Sequence, residues 1–319
     1  MGKEKNVPRF QCFKYLLLTV ELYGIYNNIK EPRRCDMERT KLGIGLVGGL
    51  GISAEEQIHI LADVGFDSFF VSESSPEKLR ALCNTGKACG MEISSVHAPF
   101  MNIDKLWHRG EGSKDAASEL IECLRACHDC DIPVMVSHVI IGFDRHEPTD
   151  DGICAFRRIA VEARRLGVKL ALENTEGEEY LAATMEHLSD LSNVGFCYDT
   201  GHGICYNRGT DMLKLYGDRI MYTHINDNLG VSAENGAITW LDDLHLLPFD
   251  GVLDVEKCMA DIAKTGYCGE LTFELSVTSK PGRSENDRYA LMGAEAYLSE
   301  AFRRAETVRE LFEIEKMKK

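Results

Sequence analysis

Val168-Lys-Leu-Ala-Leu-Glu-Asn174, Val194-Gly-Phe-Cys-Tyr-Asp-Thr200 and Ile220-Met-Tyr-Thr-His-Ile-Asn226 are short apolar runs that each deliver a metal-ligating side chain: Glu173, Asp199 and His224. Three further runs share the design. Met91–Ala98 reads MEISSVHA and carries His97, Ile132–His138 reads IPVMVSH and carries His138, and Glu270–Ser276 reads ELTFELS and carries Glu274. Each has the length and apolar content of a buried strand and is followed by turn and helix signals. Strands that alternate with helices run parallel, and polar chemistry gathered at their C-terminal ends marks the top face of a barrel. The expected fold class is α/β, a single (β/α)8 barrel with its metal site at the C-terminal face of the strands.

Working outward, Leu42 to Val47 supplies a first strand, and Ser53 with Glu56 three residues on forms a capping box for the helix after it. Gly65 to Val71 is the second strand. Pro76 opens a helix to about Cys89. A loop from Pro99 to Gly112 contains Trp107 and His108, and helices follow over Ser113–Cys130 and Gly152–Leu166, the latter stopped by Gly167. Asn226 to Leu253 is too long for a plain strand-to-helix loop and is expected to cover the site as a lid. Asp254 caps the next helix, and a charged helix from about Ser284 closes the chain. No Pro/Ser linker interrupts the series, so residues 42–319 read as one barrel domain.

At 319 residues and 44% hydrophobic, the chain has room for such a barrel, which uses about 250 residues. A net charge of −15 argues against nucleic acid as a partner, because that affinity comes from neutralised phosphates. The 12 cysteines are spread through helix and strand patterns, which reads as reduced thiols of a cytoplasmic protein. No segment has about 18 consecutive apolar residues, so no membrane partner is expected. Residues 1–41 stand apart, with seven Lys/Arg against four Asp/Glu up to Asp36. They read as a disordered or loosely packed extension, with Met37 as an alternative start.

Glu173, Asp199, His224 and Glu274, delivered from four successive strands, form an oxygen-rich set suited to a divalent ion such as Mn2+, Mg2+ or Zn2+. Adjacent buried carboxylates repel unless a cation pairs them, which favours this reading over four isolated polar residues satisfied by neighbouring helices. His97, His138, His202, Asp243 and His245 are further candidate ligands. Taken singly, His97 and His138 fit equally well as core histidines bonded to backbone carbonyls; yet five of the ten histidines fall on this one face.

Two other patterns carry less. Gly43-Ile-Gly-Leu-Val-Gly48 matches the dinucleotide fingerprint G-x-G-x-x-G, but its first glycines lie inside the strand instead of after it. Cys123, Cys127 and Cys130 have the spacing of an iron–sulfur motif; with Leu120 they also make a stripe on one helical face, the simpler reading.

The segments SVHAPF, ALENTEG, CYDTGHG, THINDN, DDLHLLPFDG and LTFEL together resemble the xylose isomerase-like TIM barrel superfamily over roughly Leu42 to Glu274. That superfamily contains sugar phosphate isomerases, ketose 3-epimerases, inosose dehydratases and the type IV AP endonucleases. The resemblance implies a divalent-metal-dependent isomerase or epimerase acting on a small sugar, sugar phosphate or polyol through a metal-stabilised enediolate. In it Glu173, Asp199, His224 and Glu274 would hold the ion, Glu173 and Glu274 would exchange protons with the substrate, and His202 would bind a substrate oxygen. A homo-oligomer is compatible with this reading. The alternatives are an inosose-type dehydratase and a zinc-dependent phosphodiesterase of the AP-endonuclease kind, whose nine ligands would fall on His97, His138, Glu173, Asp199, His202, His224, Asp243, His245 and Glu274. After His224 the chain reads INDNLG. It lacks both the Ser-Lys of the endonucleases and the Arg of the ketose 3-epimerases.

Overall fold

The computed structural model describes residues 39–144 and 147–318. The expected extension over residues 1–41 therefore lies almost wholly outside the described residues. Eight parallel strands follow one another around a barrel: β1 (Leu42–Gly45), β2 (Ser68–Val71), β3 (Glu92–His97), β4 (Val134–Ser137), β5 (Lys169–Glu173), β6 (Val194–Asp199), β7 (Ile220–His224) and β8 (Leu271–Phe273). β1 pairs with both β2 and β8, and the ring closes where the Ile225 amide donates to the Thr272 carbonyl at 2.7 Å. The expectation of a (β/α)8 barrel is met.

The helices that cover the strands are α1 (Ala54–Val64), α2 (Pro76–Ala88), α3 (Glu111–Asp129), α4 (Asp150–Leu166), α5 (Glu178–His187), α6 (Thr200–Cys205), α7 (Met212–Tyr216), α8 (Val255–Lys264), α9 (Asp287–Ala290) and α10 (Ala294–Met317). Ser53 caps α1 with the full capping box. Gly65 ends α1 at φ 113°, a left-handed position that glycine adopts without a Cβ penalty, so β2 starts three residues later than expected. The closing helix likewise begins at Ala294, after the short α9. The loop before α3 contains a 3-10 turn over Ile103–Trp107, which buries Trp107 with its indole N–H donating to the Val139 carbonyl at 2.7 Å.

Strand pleat then decides what points inward. Val134, Val136, Ala171, Cys197 and Tyr222 form a small separate cluster inside the barrel. Outward residues such as Leu170, Leu172 and Phe196 join the large core beneath the helices. Side chains on a strand alternate with period two. Moving two residues up from Val136, Ala171, Cys197 and Tyr222 therefore brings His138, Glu173, Asp199 and His224 to the same inner face, one layer higher. Register sets their heights: Asp199 lies beside His224, while Glu173 lies beside Cys197, two residues below Asp199 on β6.

The glycines of β1 serve this packing. A Cβ on Gly45 would lie 2.6 Å from the Phe70 ring, and that ring stacks on His224 at 4.8 Å between centroids. Gly43 and Gly45 are strand residues within β1, so the fingerprint spacing reflects close approach of side chains. Cys123 and Cys127 are buried in α3 among Ala116, Leu120 and Leu124, as the stripe reading expects.

Candidate metal centre

Glu173 is the hub. Its Oε1 lies 2.6 Å from His224 Nδ1, while Oε2 lies 3.3 Å from His97 Nε2 and 3.2 Å from His138 Nε2. Glu274 Oε2 approaches the same His224 Nδ1 at 3.2 Å. His202 Nδ1 lies 3.7 Å from Asp199 Oδ1, and its Nε2 lies 3.6 Å from Asp243 Oδ1. His245 Nε2 reaches that Asp243 oxygen at 2.8 Å. All nine candidate residues thus meet at one end of the barrel, although no two of the six strand-borne ligands come from the same strand.

They form three ligand groups whose atoms lie within 4.8 Å of one another: His97, His138 and Glu173; Glu173, Asp199, His224 and Glu274; and His202, Asp243 and His245; Cys197 makes a fourth with Glu173 and His224. Ligand distances of about 2.0–2.2 Å around zinc separate tetrahedral neighbours by roughly 3.4 Å, so this spacing fits a small divalent ion. Several buried ring nitrogens here have no hydrogen-bond partner: His138 Nδ1, His202 Nδ1 and His224 Nε2. Buried polar atoms are rarely left unpaired in folded proteins. An N/O donor set with orphaned atoms and three clustered carboxylates fits a bound cation.

The sequence places these groups through ordinary local devices. Asp199 ends β6 and also caps α6, its Oδ1 accepting the His202 amide at 2.6 Å. The cap sets His202 one helical turn away from the carboxylate. The connection from Asn226 to Leu253 borders the site through Trp240, Asp243 and His245, and its ligand-bearing half is held in place by its own hydrogen bonds. Asp227 and Leu246 exchange backbone hydrogen bonds of 2.9 Å, the Asp227 carboxylate accepts from Gly251 and Leu253, both at 2.9 Å, and the Ser276 amide donates to the His245 carbonyl at 3.0 Å. With Leu244, Leu246 and Leu247 buried, the ligand-bearing half is clasped onto the barrel roof because its backbone polar groups are paired there. His245 adopts φ 50°, a left-handed conformation that a non-glycine residue keeps only where its surroundings enforce it.

Burial and neighbours pull the charges apart. Burial opposes ionisation of Glu173, but the His224, His138 and His97 rings outweigh it and hold this carboxyl well below the usual range. Glu274 is lowered to about 2 by His224 and His245 against its burial. Burial raises Asp199 to about 6, helped by Glu173 and Glu274. Burial would lower His245, but Asp243 and Glu274 carry it up to about 9.

These shifts predict how the chelated protein responds to pH. Glu274, depressed from 4.5, adds stability that is present above 4.5 and lost as pH falls through about 2. His245, raised from 6.5, adds stability that is present below 6.5 and lost as pH rises through about 9. Asp199, raised from 3.8 to about 6, favours its protonated form and disfavours the folded state as pH climbs through that interval. Thermal unfolding in excess chelator should therefore show Tm falling between pH 6.5 and 9, and added divalent metal should restore it at the alkaline end. An alkaline Tm that is flat in chelator and unmoved by metal would contradict this charge arrangement.

Some neighbours have no periodic signature in the sequence. Asn226 Nδ2 donates to Asp199 Oδ2 at 2.9 Å. Tyr206 stacks on His202 and Phe100 on His138, at 5.0 and 4.6 Å. Cys197 sits beneath Glu173 and His224, its thiol pushed up to about 12 by burial, so in the metal-free protein it keeps its proton and lines the floor. Beside the ligands opens a cavity of about 580 Å3, bordered by His97, His138, His202, Asp243, His245 and Glu274 and by Phe100, Phe143, Tyr206, Trp240 and Lys280, while Glu173, Asp199 and His224 are fully buried.

Solved structures of this shape include the IolI protein with a bound zinc atom, at TM-score 0.67 and 17% identity, covering 86% of this chain and 98% of that one. A D-tagatose 3-epimerase-like protein matches at TM-score 0.62 and 21% identity over 87% of this chain and 99% of its own. Among curated relatives, the Sinorhizobium fredii protein y4fM is 33% identical over 178 residues, 52% of this chain and 51% of that protein. The rhizopine catabolism protein MocC of Rhizobium meliloti is 28% identical over 152 residues, 43% and 45% of the two chains. The matches thus span about half the length of each curated relative. Among the described residues no helix is long and apolar enough to cross a membrane. The profile of the xylose isomerase-like TIM barrel matches residues 58–299, and with strand order, ligand-bearing strand ends and fold all in agreement, the chain belongs to that family.

Proposed function

We propose that this protein is a divalent-metal-dependent isomerase or epimerase that moves a proton on a small sugar, sugar phosphate or polyol. The observation that carries this reading is the pairing of Glu173 and Glu274, two carboxylates that converge on His224 Nδ1 at 2.6 and 3.2 Å, with Glu274 bordering the cavity and Glu173 fully buried behind it. Both are held as anions at neutral pH, so each can accept a proton, and whichever does so becomes the acid for the return step. Glu173, Asp199, His224 and Glu274 would hold the ion, which supplies Lewis-acid polarisation of substrate oxygens. His202, fixed by its backbone bond to Asp199 and by the Tyr206 ring, would orient a substrate oxygen. Phe100, Phe143 and Trp240 line the walls and limit access of water to the reacting carbon. The zinc atom of IolI and the epimerase-like neighbour support the same class.

Heavy water tests it. Incubated with divalent metal and a panel of ketohexoses and cyclic polyol ketones, the protein should introduce deuterium at the carbon beside the carbonyl of the sugar it turns over. Turnover without deuterium uptake would rule out a proton shuttle open to solvent. The adjacent ligand groups favour a second reading, a zinc phosphodiesterase acting at abasic sites. A chain of net charge −15 has few cations with which to displace DNA counterions, and efficient incision of an abasic duplex at physiological salt would reverse the order of the two readings.

A further inference from the structure

The ligand groups differ in what else balances their carboxylates. Around Glu173 the positive partners are the imidazoles of His97, His138 and His224. An imidazole sheds its proton when it becomes a ligand, so a metal ion can take over its role. At Asp243 the nearest positive partners are again imidazoles, those of His245 and His202, but beside them stands one of another kind. Lys280 Nζ lies 3.7 Å from Asp243 Oδ2, with the side chain 27% exposed, and 5.5 Å from the centre of the Trp240 ring. A charged ammonium has three donors and no lone pair: it can neutralise Asp243 but cannot join a coordination sphere.

Lys280 is the one Lys or Arg bordering the cavity among the described residues, and its backbone is tied to the third group. The Asn286 side chain donates to the carbonyls of Leu244 and Ser276 at 3.0 and 2.8 Å. Arg283, whose amide donates to the Lys280 carbonyl at 2.9 Å, reaches Asp242 Oδ1 at 3.1 Å. The loop after β8 and the roof loop are thus clasped together, with the ammonium set beside the carboxylate and over the indole.

We propose that Lys280 serves as the resident cation of the His202, Asp243 and His245 group, so that this group takes a divalent ion far more weakly than the groups sharing Glu173. Asp243 Oδ1 and His245 Nε2 keep the capacity to ligate, and Lys280 sets the barrier by placing a like charge on the other oxygen of the same carboxylate. The inference rests on the metal-site reading above and concerns how many ions the site holds. A site that works with fewer ions than it has ligand groups for suits proton transfer on a sugar better than attack on a phosphodiester.

Equilibrium dialysis against buffered Zn2+, with metal per chain read by elemental analysis, tests this directly, and Co2+ absorption gives a second readout. The native chain should fill the Glu173 groups while the third stays empty. Lys280→Met should bind one further ion per chain, with at least ten-fold tighter affinity at that position. Lys280→Arg should behave as the native chain does, and Asp243→Asn added to Lys280→Met should abolish the gain. Should Lys280→Met fail to fold, Lys280→Gln carries the same comparison. Three ions of similar affinity in the native chain, or no gain in either neutral variant, would overturn the role of Lys280 and leave the metal centre standing. No metal bound by any of the proteins would remove the metal centre and this inference together.

Discussion

Glu173→Gln is expected to empty the metal centre and to slow solvent exchange of the substrate proton by more than about 10⁴-fold. General acid–base assistance alone is worth roughly 10²–10⁴-fold, and Glu173 adds to that a place in both the His97/His138 group and the Asp199/His224/Glu274 group. The substitution keeps the volume of a fully buried side chain but takes the negative charge from among three imidazoles. Removing one partner of a buried ion pair costs about 3–5 kcal/mol, so the metal-free variant should also melt below the native protein. Its circular dichroism should be unchanged at low temperature, because Glu173 ends β5 and the strand pairing does not use its side chain. Metal content, exchange rate and Tm can be read on one preparation. A variant that keeps full metal occupancy and exchanges at the native rate would displace Glu173 from the hub of the site.

Asp199→Asn should lower metal affinity by more than the roughly 10–100-fold typical of outer-shell changes, with little loss of stability. The two halves of that expectation come from two roles of one side chain. As the cap of α6, Asp199 accepts the His202 amide through Oδ1, and asparagine caps a helix about as well as aspartate. As a ligand it needs its charge, which the amide lacks. The new amide would meet Asn226 Nδ2, now 2.9 Å from Asp199 Oδ2, donor against donor. Asn226 Oδ1 has no partner, so a flip of the Asn226 amide restores a hydrogen bond without moving the backbone. Asp199→Ala has no such rescue: it loses the cap as well, worth about 0.5–2 kcal/mol. Comparing the two variants by metal titration and thermal melting separates ligation from capping. Equal destabilisation by both would mean that Asp199 acts in the fold alone.

Much of this site is written in local sequence. The alternation in the runs around Ala171–Glu173, Cys197–Asp199 and Tyr222–His224 is a property of each strand by itself, since period two places both residues of a pair on one face whatever the partner strand is. Ser53 with Glu56, and Gly167 after α4, are equally local, and all of them occur as expected. Features that depend on distance across the barrel are of another kind. That Glu173, and not Asp199 or Glu274, is shared by several ligand groups follows from how the closed ring aims six strand ends at one another. No spacing along the chain encodes that. Asp243 and His245 reach the ligands because the Asp227 carboxylate and the Leu246 backbone clasp a long loop to the roof, where length alone suggests a lid. The fingerprint around Gly45 already fails in the sequence, because its glycines lie inside the strand; only the tertiary structure gives Gly45 its purpose, with the Phe70 ring against it and His224 against that ring. Lys280 is an unremarkable loop lysine in the sequence; only the tertiary structure sets its ammonium beside Asp243 and over Trp240. Periodicity thus determines which residues face inward and upward, while barrel closure and loop clasps, which bring together groups far apart in the chain, decide which of them touch.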